Sequence, residues 1–87
     1  MNWDDMRIFL SVAREASLSG AAKALRLDPA TVGRRIARLE REMDAVLFVK
    51  SPQGYRATTA GEQLRAHAEV AEQAMSGALA QVRGEAE

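Results

Sequence analysis

Asp28-Pro29-Ala30-Thr31-Val32-Gly33-Arg34-Arg35-Ile36-Ala37-Arg38-Leu39-Glu40-Arg41-Glu42-Met43 is the stretch on which the reading of this chain turns. Asp28 suits a helix N-cap, because its carboxylate can accept from an otherwise unpaired N–H of the first turn. Pro29 suits the first helical position, where its fixed φ is already helical and its missing N–H would have had no partner. The segment therefore predicts a helix over 29–43. Val32, Ile36, Leu39 and Met43 recur at spacings of four, three and four, which puts them on one stripe and assigns them to the core. Thr31, Arg34, Arg35, Arg38 and Arg41 fall on the rest of the cylinder. A helix anchored by aliphatics on one side and cationic on the other suits a major groove, where planar guanidinium forks meet guanine edges or phosphates. A solvated charged face gives the same pattern on an isolated helix, so the flanking segments decide between the two.

Upstream, Trp3 to Ala16 reads as a first helix. Met6, Phe9, Leu10 and Ala13 share a stripe, Ile8 and Val12 widen it, and Asp4 and Asp5 sit at the positive end of the helix dipole. Trp3 and Phe9 are assigned to the core. Ser17 to Gly20 breaks the period, and Ala21-Ala22-Lys23-Ala24-Leu25 begins a short second helix, with Ser19 as its cap and Leu18 placed for a staple contact. The small side chains of Ala21 and Ala22 admit another helix axis closely. A tight turn centred on Leu27 and Asp28 then leads into the arginine-bearing helix, which is a helix-turn-helix arrangement.

Downstream, Val46 to Lys50 and Tyr55 to Thr58 are β-leaning runs separated by Ser51-Pro52-Gln53-Gly54, whose Pro and Gly form turns. A lone hairpin is marginal in water, so Leu47, Phe48 and Tyr55 must pack on the helices, leaving Lys50, Gln53 and Arg56 near the tip. From Thr58 to about Arg83 the chain reads as a long helix, with Thr59 and Glu62 at capping-box spacing. Its apolar seam is Leu64, Ala68, Ala71, Met75, Ala78 and Val82, a heptad pattern of mostly small residues. Leu64 and Ala68 can pack on the chain's own domain, but so small a domain cannot cover a helix of that length, and the distal half calls for a partner helix. The expected fold is mainly α: a winged helix-turn-helix of three helices and a two-stranded β wing over 1–58, then a linker and dimerisation helix over 59–87.

The 87 residues suffice for one small core. Twelve Lys and Arg balance twelve Asp and Glu, which by itself argues against a nucleic-acid partner. The distribution reverses that argument. From Lys23 to Arg56 eight cations face four anions, a net +4, so the flanks carry −4. The absence of cysteine fits a reducing compartment and leaves no thiolate metal site. No secretory signal or apolar run of membrane-spanning length is visible, and the expected location is cytoplasmic. His67 is the only histidine; with no credible nucleophile beside it, an enzyme is not expected, nor a metal or cofactor.

These features together resemble the DNA-binding domain of the LysR-type transcriptional regulators, from Met6 to about Leu64 with the linker helix beyond. The matching residues are Phe9, Val12-Ala13, Ser17-Leu18-Ser19, Ala21-Ala22, Leu25, Arg34, Ile36, Arg38-Leu39-Glu40, Leu47-Phe48, Thr58 and Ala60-Gly61. The resemblance implies that Thr58, not Thr59, caps the last helix. It also implies an antiparallel pairing of linker helices into a homodimer, and a separate two-lobed domain for a small-molecule coinducer that these residues do not contain. The Ala, Gly and Glu-rich end reads as a cut, although a regulator without a sensor would look the same. The departures fall in the recognition helix, which in the family usually opens Ser-Gln-Pro or Ser-Gln-Ser with a further Ser before the Arg. Asp28-Pro29-Ala30 and Gly33 stand there instead, so base readout is expected to be thinner and to rest more heavily on Arg34. Lys50 replaces the usual Arg, and Ala57 the usual Leu.

The expected DNA interface is then Ala30, Thr31, Gly33, Arg34, Arg35 and Arg38 in the major groove of a double-stranded operator, with Lys50, Gln53 and Arg56 of the wing (47–58) on the backbone or minor groove. Within the same class, a MarR-like or ModE-type winged-helix regulator is the alternative, disfavoured by the length of the last helix. From another class the alternative is a helical protein-interaction or dimerisation domain, which zero net charge and an alanine seam would both suit.

Overall fold

The computed structural model describes residues 1–84; positions 85–87, the end of the expected linker segment, lie outside them. Four helices and one hairpin follow in the order α1 (Trp3–Glu15), α2 (Leu18–Leu25), α3 (Pro29–Met43), β1 (Phe48–Ser51), β2 (Gly54–Ala57) and α4 (Thr59–Val82). This is the winged helix-turn-helix with a long trailing helix that the pattern calls for.

Side-chain caps open every helix. Asn2 accepts from the Asp5 N–H at 2.8 Å, Asp28 from the Thr31 N–H at 2.9 Å, and Thr58 from the Gly61 N–H at 3.1 Å. Thr58 is thus the cap of α4, and the capping-box reading of Thr59 is corrected by one residue. The cap of α2 is corrected too, from Ser19 to Ser17, whose hydroxyl accepts from the Gly20 N–H at 2.8 Å. The reason lies in Ala16, which turns left-handed at φ 54 and returns its N–H to the Val12 carbonyl. That ends α1 at Glu15 and leaves Ser17 extended, ready to start α2 at Leu18. Leu18 is therefore the first helical residue, not a staple preceding the cap.

The core is built from Ile8, Phe9, Leu10 and Val12 of α1, Val32 and Leu39 of α3, and Leu47 ahead of β1, all fully buried. Ala21 and Ala22 are buried as well and bring α2 close. Two residues expected inside stand out of the core: Trp3 is 37% exposed and Met43 38%. Each lies at a helix end, beyond the part of the stripe that the neighbouring helices cover. Phe48 extends the core into the wing, 5.3 Å from the Phe9 ring and 6.1 Å from Tyr55, on which it stacks.

The wing is an antiparallel pair with Phe48 opposite Ala57 and Ser51 opposite Gly54. It is held by backbone as much as by side chains. The Glu40 carboxylate on α3 accepts from the N–H groups of Leu47 at 2.7 Å and Phe48 at 3.3 Å. The Tyr55 N–H donates to the Ala16 carbonyl at 2.8 Å, and that of Thr58 to the Leu47 carbonyl at 3.0 Å. The first turn of α4 then lies directly on the strand entry, so close that a Cβ at Gly61 would come within 2.2 Å of the Leu47 oxygen.

Of the α4 seam, Ala68 is buried and Leu64 half-buried on the chain's own core, so the proximal seam is already covered. Arg14 at the end of α1 grips the same helix from the side, donating to both Glu72 oxygens at 3.2 and 2.7 Å, with Glu69 3.6 Å away. These hydrogen bonds hold the Glu72 carboxyl below its usual range, against a smaller opposing push from burial. Farther along, Ala71 and Ala78 are exposed, as are Met75 and Val82, the last at 85%.

Candidate nucleic-acid interface

With Val32, Ile36 and Leu39 buried, the opposite side of α3 is fixed by helical geometry. Ala30, Arg34, Arg38 and Arg41 stand exposed there, and Thr31, Gly33, Arg35 and Ala37 are half-covered on the flanks. Three small residues, Ala30, Gly33 and Ala37, are interspersed among the arginines on this side. The start of this face is pre-ordered. The Thr31 hydroxyl donates to the second Asp28 oxygen at 2.8 Å and accepts from Nη2 of Arg34 at 3.1 Å. The cap that begins the helix thereby reaches, through one hydroxyl, the arginine on which base readout is expected to rest. Hydrogen bonds from the Thr31 N–H and hydroxyl hold the Asp28 carboxyl below its usual range, so it stays an acceptor at neutral pH.

Lys50 shares a groove with Ser17, Leu18 and Ser19 at the start of α2, Pro29 at the start of α3, and Gly54 and Tyr55 of the wing. Two positive helix ends and a lysine thus open onto one channel, an arrangement favourable to an anion running along it. Gln53 and Arg56 are exposed on the wing. Arg56 lies opposite Val49 on its solvent side, apart from the arginines of α3.

Gly33 faces α2: a Cβ there would sit 3.4 Å from the Leu18 side chain, ordinary van der Waals contact, so α2 tolerates a side chain at this position. Arg35 differs from the expectation most. Its guanidinium points to α1, where it donates to Asp4 at 2.9 Å and to Asp5 at 3.1 and 2.8 Å. Arg38 donates to the same Asp5 oxygen at 2.8 Å. Burial pushes the Asp5 carboxyl up, but the hydrogen bonds and charges of the two arginines outweigh it and keep its pKa below the ordinary value. In the sequence Asp4 and Asp5 served only the dipole of α1; nothing in the local pattern marks them as partners for residues thirty positions away. Arg41, left out of the expected interface, is exposed on the same face two turns beyond Arg34, a relation that the seven-residue spacing already contained.

Among the described residues no group of His, Cys, Asp or Glu could hold a metal ion, and no helix is long and apolar enough to cross a membrane.

This geometry recurs in known proteins. The Mau operon transcriptional activator of Paracoccus denitrificans is 44% identical over 66 residues, which cover 76% of this chain and 22% of that protein. The full-length regulator LysG of Corynebacterium glutamicum, solved with its effector Arg bound, superposes with a TM-score of 0.88 at 32% identity, over 97% of this chain and 29% of LysG. The DNA-binding domain of BenM, solved with catB site 1 DNA, matches with a TM-score of 0.91 at 22% identity, over 95% of this chain and 93% of that one. That last likeness is one of fold. The chain accordingly spans between a fifth and a third of the full-length relatives it matches. The model of the bacterial regulatory helix-turn-helix proteins of the lysR family matches residues 3–62, from the start of α1 into the first turn of α4, and the chain belongs to that family.

Proposed function

We propose that this chain is the sequence-specific DNA-binding part of a transcriptional regulator, with α3 in the major groove and the wing on the neighbouring backbone or minor groove of a double-stranded operator. The observation that carries the reading is the exposed face of α3, where Arg34, Arg38 and Arg41 alternate with small residues over a fully buried opposite side. Arginines supply the charge and the forks, and the small residues let the helix backbone sink between them. Ala30, Thr31, Gly33 and Arg34 meet base edges in this reading. Arg38, Arg41, Lys50, Gln53 and Arg56 meet the sugar-phosphate backbone, and Arg35 reaches DNA only by leaving its carboxylates. The role is one of binding rather than catalysis, exercised in the cytoplasm where the chromosome is. A coinducer, if the whole protein takes one, would be bound outside these residues.

Substitution separates reading from positioning. Arg34→Ala is expected to cost about 1–3 kcal/mol on the preferred site and to relax preference at the base it meets, whereas Arg56→Ala should weaken all sequences alike. Both variants profiled over a randomised site library would decide it; identical profiles would refute the division.

Within the same reading, residues 1–58 bind DNA and the segment 59–87 pairs two copies through α4. Ala71, Met75, Ala78 and Val82 are the exposed part of the seam, while Leu64 and Ala68 support the helix from within. An alanine-rich contact buries little area, so the association should be weaker than a leucine zipper and strengthened by DNA. Met75→Glu would place like charges together near a two-fold axis and is expected to leave a helical monomer. Sedimentation over a range of concentrations checks this, and an undiminished dimer would exclude the interface.

A further inference from the structure

Asp5 is the one buried charged side chain among the described residues, 2% exposed. Its Oδ1 accepts three N–H groups at once: Nε and Nη2 of Arg35 at 3.1 and 2.8 Å, and Nη2 of Arg38 at 2.8 Å. The two arginines differ in what they have left to offer. Arg35 is also held by Asp4 and its side chain is 26% exposed. The Arg38 side chain is 44% exposed, and among the described residues this is the one hydrogen bond of its guanidinium. The rest of its guanidinium stands one turn from Arg34 and Arg41 on the exposed face of α3. A carboxylate this buried cannot lose its partners cheaply, so the clamp persists at salt concentrations that dissolve exposed pairs. An unrestrained arginine finds a phosphate on any sequence; a pinned one reaches only a phosphate that the local shape of the duplex places in line with it, which makes its backbone contact sequence-dependent.

Resting on the DNA-binding reading, we propose that Asp5 is a positioning residue that sets DNA specificity, by fixing the direction of Arg38 and withholding Arg35 from DNA. Two simpler roles make opposite forecasts. If the carboxylate only repelled phosphate, its removal would tighten binding to every sequence. If it only held α1 to α3, its removal would weaken binding to every sequence.

The test compares the wild-type chain with Asp5→Asn, Asp5→Glu, Arg38→Gln and the Asp5→Asn/Arg38→Gln double variant. Each is titrated by fluorescence anisotropy against the duplex that wild type selects from a random library and against random duplex of the same length, with thermal melts in parallel. Asp5→Asn should bind random duplex more tightly, with a log–log salt slope steeper by about one as Arg35 is released to phosphate. It should bind the selected duplex less tightly, so that the ratio of the two affinities falls by roughly tenfold. In the Arg38→Gln background the same change should lower the ratio no further. Asp5→Glu keeps the charge but displaces it by a methylene, and should lower the ratio at unchanged slope; it carries the test if Asp5→Asn melts below the assay temperature. An unchanged ratio in either Asp5 variant overturns the proposal, as does a full loss that persists without Arg38. A wild-type chain that binds no duplex at low salt overturns this inference together with the reading beneath it. Steep salt dependence with an intact Asp5→Asn ratio overturns this inference alone.

Discussion

Gly54→Ala is expected to lower the stability of the chain by roughly 2–5 kcal/mol, combining a strained backbone at about 1–3 kcal/mol with an overpacked contact of similar cost. Gly54 sits at φ 118, which L side chains rarely adopt, and a Cβ there would lie 2.3 Å from the carbonyl oxygen of Ala16. Neither atom can yield easily. The Ala16 carbonyl accepts the Tyr55 N–H at 2.8 Å, and Ala16 itself is the left-handed residue that ends α1. The methyl therefore strains the wing turn and the α1–α2 corner together. For a domain of this size the loss corresponds to a fall in Tm of roughly 10–30 °C. Gly77 supplies the control, because a Cβ there meets nothing within 4 Å. Gly77→Ala should stabilise α4 by about 0.5–1 kcal/mol through helix propensity alone. Melts followed by circular dichroism at neutral pH would compare the two, and equal Tm values for both variants would show that the wing does not rest on Ala16 as described.

Raising monovalent salt from about 50 to about 200 mM is expected to weaken DNA binding by about 150- to 500-fold per protomer, despite a net charge of zero. Arg38, Arg41, Lys50 and Arg56 are exposed cations on or beside the proposed interface, and Arg34 reaches either a base edge or a phosphate. Four to five neutralised phosphates give a log–log slope of about −3.6 to −4.5, and a dimer doubles it. Arg35 is left out because Asp4 and Asp5 already neutralise it. Net charge does not enter, since counterions are released only where cations meet phosphate, and eight of the twelve anions of this chain lie outside the basic stretch from Lys23 to Arg56. Affinity flat across that range would remove the basis for the DNA-binding reading.

Much of the fold could be read directly, because what decides it acts over three or four residues. Asp28 and Pro29 announce the start of α3, the Val32, Ile36 and Leu39 stripe orients it, and Pro52 with Gly54 turns the hairpin. Each of these signals is a short-range steric or hydrogen-bonding preference carried by adjacent residues. They were enough to place Arg34 and Arg38 on an exposed face, and Lys50, Gln53 and Arg56 on a wing. The family resemblance reached further in one place, choosing Thr58 over the Thr59 to which the capping-box spacing pointed.

Tertiary structure decided the rest. Ser17 displaced Ser19 as the cap of α2 because a left-handed Ala16, itself bonded to the wing through Tyr55, shortened the turn. Ala68 could serve either the seam or the chain's own domain on the sequence alone; the core covers it, while Ala71, a single turn on, stays open. Arg35 and Arg38 are both arginines on one side of one helix, but Arg35 is held by two carboxylates of α1 and Arg38 by one. That division follows from how α1 crosses α3, and a crossing between segments thirty residues apart leaves no period or spacing in the chain; it exists only once the shared core of Phe9, Val32 and Leu39 has closed.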